Sequence, residues 1–229
     1  MPAFLEDIKK NLKIVENKKP TEVLEIDEEW FYTPIVKEHF FNPQNILLND
    51  DEIKGEDFDA VGMVGSPACG DMMKIFINVE DDKLKDCKWQ TFGCASAIAS
   101  TSMMSVMLTE DDGMTLDEAL KLKPKQINDR LGGLPHRKFH CSVLGDKAVR
   151  EAINNYFEKT GQDERVKRDR VRVIDKKSGT TDHDIEEAVL EGAQTFEDVQ
   201  RKTKVGIGNT KIQQDVEQLI RHYTEKYFG

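Results

Sequence analysis

Three cysteines sit in short contexts punctuated by glycine or proline: Gly65-Ser66-Pro67-Ala68-Cys69-Gly70-Asp71, Phe92-Gly93-Cys94-Ala95-Ser96, and His140-Cys141-Ser142 a few residues after Leu134-Pro135. Each thiol falls at or beside a turn, where backbone exposes sulfur instead of burying it. Asp71 follows the first cysteine by two residues, and His140 directly precedes the third. Three thiols, a carboxylate and an imidazole form a set of soft and borderline donors suited to an iron–sulfur cluster or to zinc. A cluster wants about four protein ligands converging on one spot. With Cys69, Cys94 and Cys141 as three of them, the fourth is Asp71 or His140. Either binds iron less firmly than thiolate, so a cluster held this way is labile, which suits a protein that gives its cluster away. Two other readings use the same residues. A structural zinc module would take the same donors in tetrahedral geometry. An enzyme would use Cys141 as a nucleophile activated by His140, which leaves the other two cysteine contexts without a purpose.

The elements that must position these groups follow from pattern. Residues 58–66, 72–80 and 83–92 are rich in Val, Ile, Phe, Met and Trp with partial alternation, and are separated by Pro67 to Asp71 and by Glu80-Asp81-Asp82. They read as three strands of a small, mostly antiparallel sheet. Helical spacing runs from Glu29 to Phe41 and stops at Asn42-Pro43. Residues 95–109 read as a helix opened by Cys94, whose terminal amides favour a thiolate. A second helix covers 115–123 with Thr115 as its cap, and Ala148, Val149, Ala152, Ile153 and Phe157 mark another, which Cys141 precedes. The fold class is therefore α+β, a three-stranded sheet with helices packed on it, followed by a small all-helical domain. The divisions are an N-terminal helical extension at 1–28 (Phe4, Leu5, Ile8, Leu12 and Ile14 at helical spacing), the ligand-bearing domain at 29–160, a polar linker at 161–170, and a helical unit at 171–229.

Composition bounds the setting. Charged residues make up 33% of the 229, and the formal net charge is -10, which opposes nucleic-acid binding because phosphate contacts need a concentrated basic surface. No apolar run approaches the roughly 20 residues that span a bilayer, and Met1 to Lys10 lacks the apolar core of a signal peptide. Four cysteines in such a chain read as thiols or ligands, not a disulfide frame. A cytoplasmic protein is expected. Cys87, in Lys85-Asp86-Cys87-Lys88-Trp89 on the third strand, reads as a half-buried strand residue. His183 and His222 have no metal-ligating or catalytic constellation around them.

The flanking residues add a resemblance. Ser66-Pro67-Ala68-Cys69-Gly70-Asp71, Phe92-Gly93-Cys94-Ala95-Ser96-Ala97-Ile98-Ala99-Ser100 and His140-Cys141-Ser142 resemble the three signatures of the IscU/NifU iron–sulfur scaffold family, and Phe40-Phe41-Asn42-Pro43-Gln44-Asn45 resembles its early aromatic-x-Asn-Pro-x-Asn segment. The match runs over about residues 30–160. The resemblance implies a platform for a transient [2Fe-2S] cluster, built from iron and from sulfur supplied by a cysteine desulfurase, then passed to apo iron–sulfur proteins. Such a scaffold is not an enzyme, since the sulfur chemistry belongs to the partner, and it can form a homodimer. It further implies Cys69, Cys94 and Cys141 as thiolate ligands, Asp71 as the aspartate tied to cluster release, His140 as a neighbour or ligand, and zinc on the same groups when the cluster is absent. Leu134, Pro135 and Lys138 match a segment read by a dedicated chaperone in some members. Here His136 replaces its second proline and Arg137 brings a charge, which weakens that match.

Residues 171–229 resemble the ferredoxin-like domain of NifU proteins and of bacterioferritin-associated ferredoxin, through Thr181 to Val189, Thr195 to Val199 and Lys204 to Asn209. The cluster cysteines of that domain fall on Arg172, Ile174, Asn209 and Ile212, and no cysteine follows Cys141. The resemblance therefore implies a degenerate, cluster-free module whose remaining use is protein contact.

Overall fold

The computed structural model describes residues 32–54, 57–65, 70–135, 138, 140–168 and 170–228. The extension at 1–28, Cys69 and His136 lie outside them. Thr33 caps α1 (Pro34–Phe41), its hydroxyl accepting from Val36 N at 3.1 Å, and Pro34 supplies the preset first turn. The short α2 spans Asp50–Lys54. The sheet follows as β1 (Ala60–Gly65), β2 (Met72–Glu80) and β3 (Lys83–Phe92), antiparallel in that order. Asp81 and Asp82 both take positive φ, at 51° and 60°, giving the tight turn whose twist suits a two-residue hairpin. In register, Ala60, Ile77 and Cys87 share one rung, and Gly62, Ile75 and Trp89 share the next but one, on the same face. All six side-chain positions are buried on the inner face.

On that face lie α3 (Ala95–Thr109) and α6 (His140–Lys159), with α4 (Leu116–Ala119) and α5 (Pro124–Arg130) between them in the chain. The sequence reading had one helix at 115–123 and none at 124–130. Pro124 divides the stretch, closing the first helix and opening the second at its first position. It also started the long helix after Cys141, whereas α6 begins at His140 and takes Cys141 into its first turn. Ser142 and Gly145 are weak helix formers, and packing of α6 against β1 and α3 outweighs them.

Helix α3 is buried nearly all round although four of its buried residues are serines. Ser100 bonds back to Ala97 O within the helix at 3.2 Å, and the other three meet the segment that leads into the sheet. Ser96 bonds the Tyr32 hydroxyl at 2.9 Å, Ser102 bonds His39 Nδ1 and accepts from Gln44 N at 2.8 Å each, and Ser105 accepts from Asn45 Nδ2 at 3.2 Å. Trp89 completes the brace, its Nε1 donating to Gln44 O at 2.8 Å and its backbone N to Asn45 O at 3.1 Å. The Asn-Pro-Gln-Asn motif is thus a splint between α3 and β3. Cys87 is fully buried and its thiol is pushed up to about 12 by that burial, in keeping with a packing role.

The C-terminal unit is mostly helical: α7 (Asp182–Leu190), α8 (Phe196–Thr203) and α9 (Gln213–Phe228) pack around Ile185, Val189, Val199, Val216 and Ile220. It also carries an antiparallel ribbon, β4 (Val173–Asp175) with β5 (Thr180–Thr181), too short to be read from pattern. Thr181 and Thr195 each form a capping box, with Asp184 and Asp198. The polar stretch expected as a linker is fastened to α6. Arg165 stacks its guanidinium 4.2 Å from the Phe157 ring and pairs with Asp82 at 2.7 Å, and Asn154 exchanges two hydrogen bonds with the Lys167 backbone. Among the described residues, no helix is long and apolar enough to cross a membrane.

At Gly62 the sheet and α6 touch through backbone. A Cβ there would come within 2.2 Å of Ala148 O and 2.3 Å of Ala152 N. Gly62→Ala is expected to destabilise the chain by about 3 kcal/mol or more, at the upper end of overpacking costs, because backbone must move. Gly65→Ala, whose Cβ would meet nothing nearer than 3.9 Å among the described residues, should stay within about 1 kcal/mol of the parent. Urea unfolding of the two variants decides this, and equal midpoints would refute the backbone contact.

Candidate metal centre

The site is made by the last rung of the sheet. Gly65, Met72 and Phe92 pair across the three strands, so Asp71, just before β2, and Gly93-Cys94, just after β3, emerge side by side. Thr91 locks this end by donating its hydroxyl to Met72 O at 2.7 Å. Gly93 has no room for a side chain, since a Cβ would lie 2.9 Å from Thr91 Oγ1 and 3.4 Å from Asp71 Oδ2. Cys94 then caps α3 in extended conformation, its carbonyl accepting from Ile98 N at 3.0 Å, and its own N–H donates to Asp71 Oδ2 at 3.4 Å. Cys141 arrives from the first turn of α6.

The ligand atoms of Asp71, Cys94 and Cys141 all lie within 4.8 Å of one another, and the two sulfurs are 3.1 Å apart. Cys141 is 1% exposed, while Cys94 and Asp71 are half-buried. The two thiols form one hydrogen-bonded pair. The Cys94 sulfur is brought down to about 6, first by the bond it accepts from Cys141, then by an amide at the start of α3 and the nearby Lys138 charge, against the cost of burial. Cys141 is pushed well above the usual thiol range by donating to Cys94 and by burial. A thiolate, a thiol that loses its proton to a cation, and a carboxylate at one point form a mixed soft and hard donor set open to a metal on the Cys94 side.

Of the residues singled out in the sequence, Asp71, Cys94 and Cys141 come together. The backbone of His140 opens α6 next to Cys141, but its side chain, like Cys69, lies outside the described residues. Leu134 packs against the main core and its N–H donates to Asn128 Oδ1 at 2.6 Å, Pro135 is half-buried, and Pro135 O accepts from Lys138 N at 2.7 Å. Lys138, read as a partner contact, also acts on both thiols through its charge. His183, which has no constellation around it in the sequence, lines a cavity shared with Asp71 and Cys141, together with Lys147, Glu187 and Glu191. No local signal brings α7 to α6, so sequence reasoning could not have found these neighbours.

Fold and site define a class, a small α+β platform that gathers thiols and a carboxylate at the end of a three-stranded sheet. The chain belongs to the NifU-like N terminal domain family, which matches residues 31–163. Among its relatives, "Iron-sulfur cluster assembly scaffold protein IscU 1" of Archaeoglobus fulgidus is 46% identical over 136 residues, covering 59% of this chain and 83% of that protein. "Nitrogen fixation protein NifU" of Azotobacter chroococcum is 35% identical over 194 residues, covering 83% of this chain and 59% of that protein. A solved NifU-like N-terminal domain from Brucella abortus aligns at a TM-score of 0.42 and 22% identity, over 56% of this chain and 94% of that one.

The hydrogen-bonded pair gives a titration that can be checked. In a Cys69→Ala background without metal, Cys94 should ionise near pH 6, followed by the ultraviolet absorbance of thiolate. Adding Cys141→Ala removes the donor and should raise that midpoint by at least about one pH unit. An unmoved midpoint would show that the sulfurs are not hydrogen-bonded.

Proposed function

We propose that this chain is a scaffold on which an iron–sulfur cluster is assembled and from which it passes to apo-proteins. The observation that carries the reading is the meeting of Asp71, Cys94 and Cys141 at one end of the sheet. Relatives named as cluster assembly scaffolds support it. In this reading the cargo is a [2Fe-2S] cluster held by Cys69, Cys94 and Cys141, with Asp71 or His140 as the fourth ligand. Sulfur comes from a cysteine desulfurase in the cytoplasm, and apo iron–sulfur proteins are the recipients.

The donor set explains both holding and release. Thiolates bind iron firmly, whereas a half-buried carboxylate is a hard, exchangeable ligand that an incoming thiolate displaces. The chain itself is not the enzyme of this process. A buried Cys141 held protonated by its neighbour is a poor nucleophile, and the sulfur chemistry falls to the desulfurase. The C-terminal unit is a cysteine-free relative of the ferredoxin-like domain. Support comes from the alignment with the Azotobacter protein, whose 194 residues cannot fit within the first 163 and so extend into this unit.

Anaerobic reconstitution with iron, cysteine and a cysteine desulfurase tests the proposal. The parent chain should acquire iron and sulfide in equal amounts, with visible absorption that disappears as an apo-ferredoxin gains its cluster. Asp71→Cys, which supplies a fourth thiolate, should hold its cluster at least about tenfold longer and deliver it correspondingly more slowly. Absence of a cluster, with one firmly bound zinc per chain, would overturn the scaffold reading in favour of a structural zinc module.

A further inference from the structure

The C-terminal unit is not appended to the scaffold at a distance. Val143, two residues after Cys141 on α6, is 2% exposed and belongs to the apolar core built with Ile185 and Val189 of α7. The unit therefore completes its core with the helix that carries a metal-site thiol. One turn further along α6, the Lys147 ammonium donates to Glu186 Oε2 at 2.8 Å and lies 3.2 Å from His183 Nε2. Glu186 is 6% exposed, and its other oxygen accepts from Lys226 Nζ at 2.9 Å and from the Tyr227 hydroxyl at 2.6 Å, both on α9. One buried carboxylate thus ties α6, α7 and α9 together. A buried charge so placed is costly to leave unpaired, so the contact is held in one geometry.

The consequence lies at the site. His183 and Glu187 on α7 and Glu191 at its C-cap follow one another at four-residue spacing and line, from the module's side, the cavity whose other side carries Asp71 and Cys141. The opposite approach, past Cys94, is flanked by Met72 and Phe92, which are 40% and 56% exposed.

Resting on the reading of these thiols as metal ligands, we infer that the C-terminal module is a fixed wall of the metal site, and that Glu186 and Lys147 are the positioning residues that hold it there. The wall closes the α6 side of the site to water and to competing ligands. It leaves partners the Cys94 side, where the exposed apolar side chains of Met72 and Phe92 stand. The module thereby sets how long the site keeps what it binds.

Cobalt(II) serves as the probe, since its thiolate charge-transfer absorption reports metal on sulfur without any transfer assay. The full chain is loaded and the band is followed after addition of excess EDTA, alongside backbone hydrogen exchange of residues 182–190 and of β2 and β3. Lys147→Glu sets two carboxylates against each other, Glu186→Gln removes the central charge, and Lys147→Arg keeps the pair. In Lys147→Glu and Glu186→Gln, residues 182–190 should exchange faster while the sheet stays protected, and cobalt should be lost at least about tenfold faster. Lys147→Arg should stay within about twofold of the parent. Cobalt lost at the parent rate from a variant whose residues 182–190 have loosened would overturn the wall. Unchanged exchange and unchanged cobalt loss in both disruptive variants would remove Glu186 and Lys147 from the role. If the parent shows no thiolate–cobalt band, the metal-site reading itself fails, and the wall with it.

Discussion

The placement of the site depends on one close approach, the backbone of α6 lying directly on β1 at Gly62. Ordinary helix-on-sheet packing keeps a layer of side chains between the two. Here Gly62, Ala148 and Ala152 have almost nothing to interpose. The helix consequently settles deep enough to deliver Cys141 from its first turn to the end of the sheet, within 3.1 Å of Cys94. The same approach fixes Val143 and Lys147, and through them the seat of the C-terminal unit. The brace of Tyr32, His39, Gln44 and Asn45 on the serines of α3 does for Cys94 what Gly62 does for Cys141. Both sulfurs are held by rigid elements rather than by loops, so little reorganisation is needed when a cation replaces the proton between them.

Much of this was legible in the chain. The strand readings at 72–80 and 83–92 coincide with β2 and β3, since alternation and the Asp81-Asp82 turn leave few other registers. Once the three strands are drawn, Asp71 and Cys94 must flank the same rung. The departures have separate causes. Helix α5 hid because a polar segment opened by Pro124 lacks periodicity of its own. The start of α6 hid behind Ser142 and Gly145, whose propensities are weak, although Gly145 lies close against Thr101 and Met104 of α3. The ribbon of β4 and β5 has too few residues to show a period. His183, Lys147 and Glu186 were unreadable as a group because nothing local couples α6 to α7 across some forty residues of chain.

The C-terminal unit, which contains no cysteine, is held together by polar and apolar contacts of its own. The four positions that the resemblance matches to cluster cysteines each have a protein-only partner. Arg172 donates twice to Asp182, at 2.9 and 3.0 Å, and Asn209 bonds Asp175. Ile174 and Ile212 turn into the apolar core. Between them the Asp175 carboxylate accepts from Lys177 N and Gly206 N at 3.0 Å each and from the Ser178 hydroxyl at 3.1 Å, which staples the ribbon turn to the loop after α8. Hydrogen bonds to one buried carboxylate, an ion pair and two isoleucines make the link. From this unit α7 presents His183 and Glu187 to the cavity that Cys141 lines from the neighbouring domain.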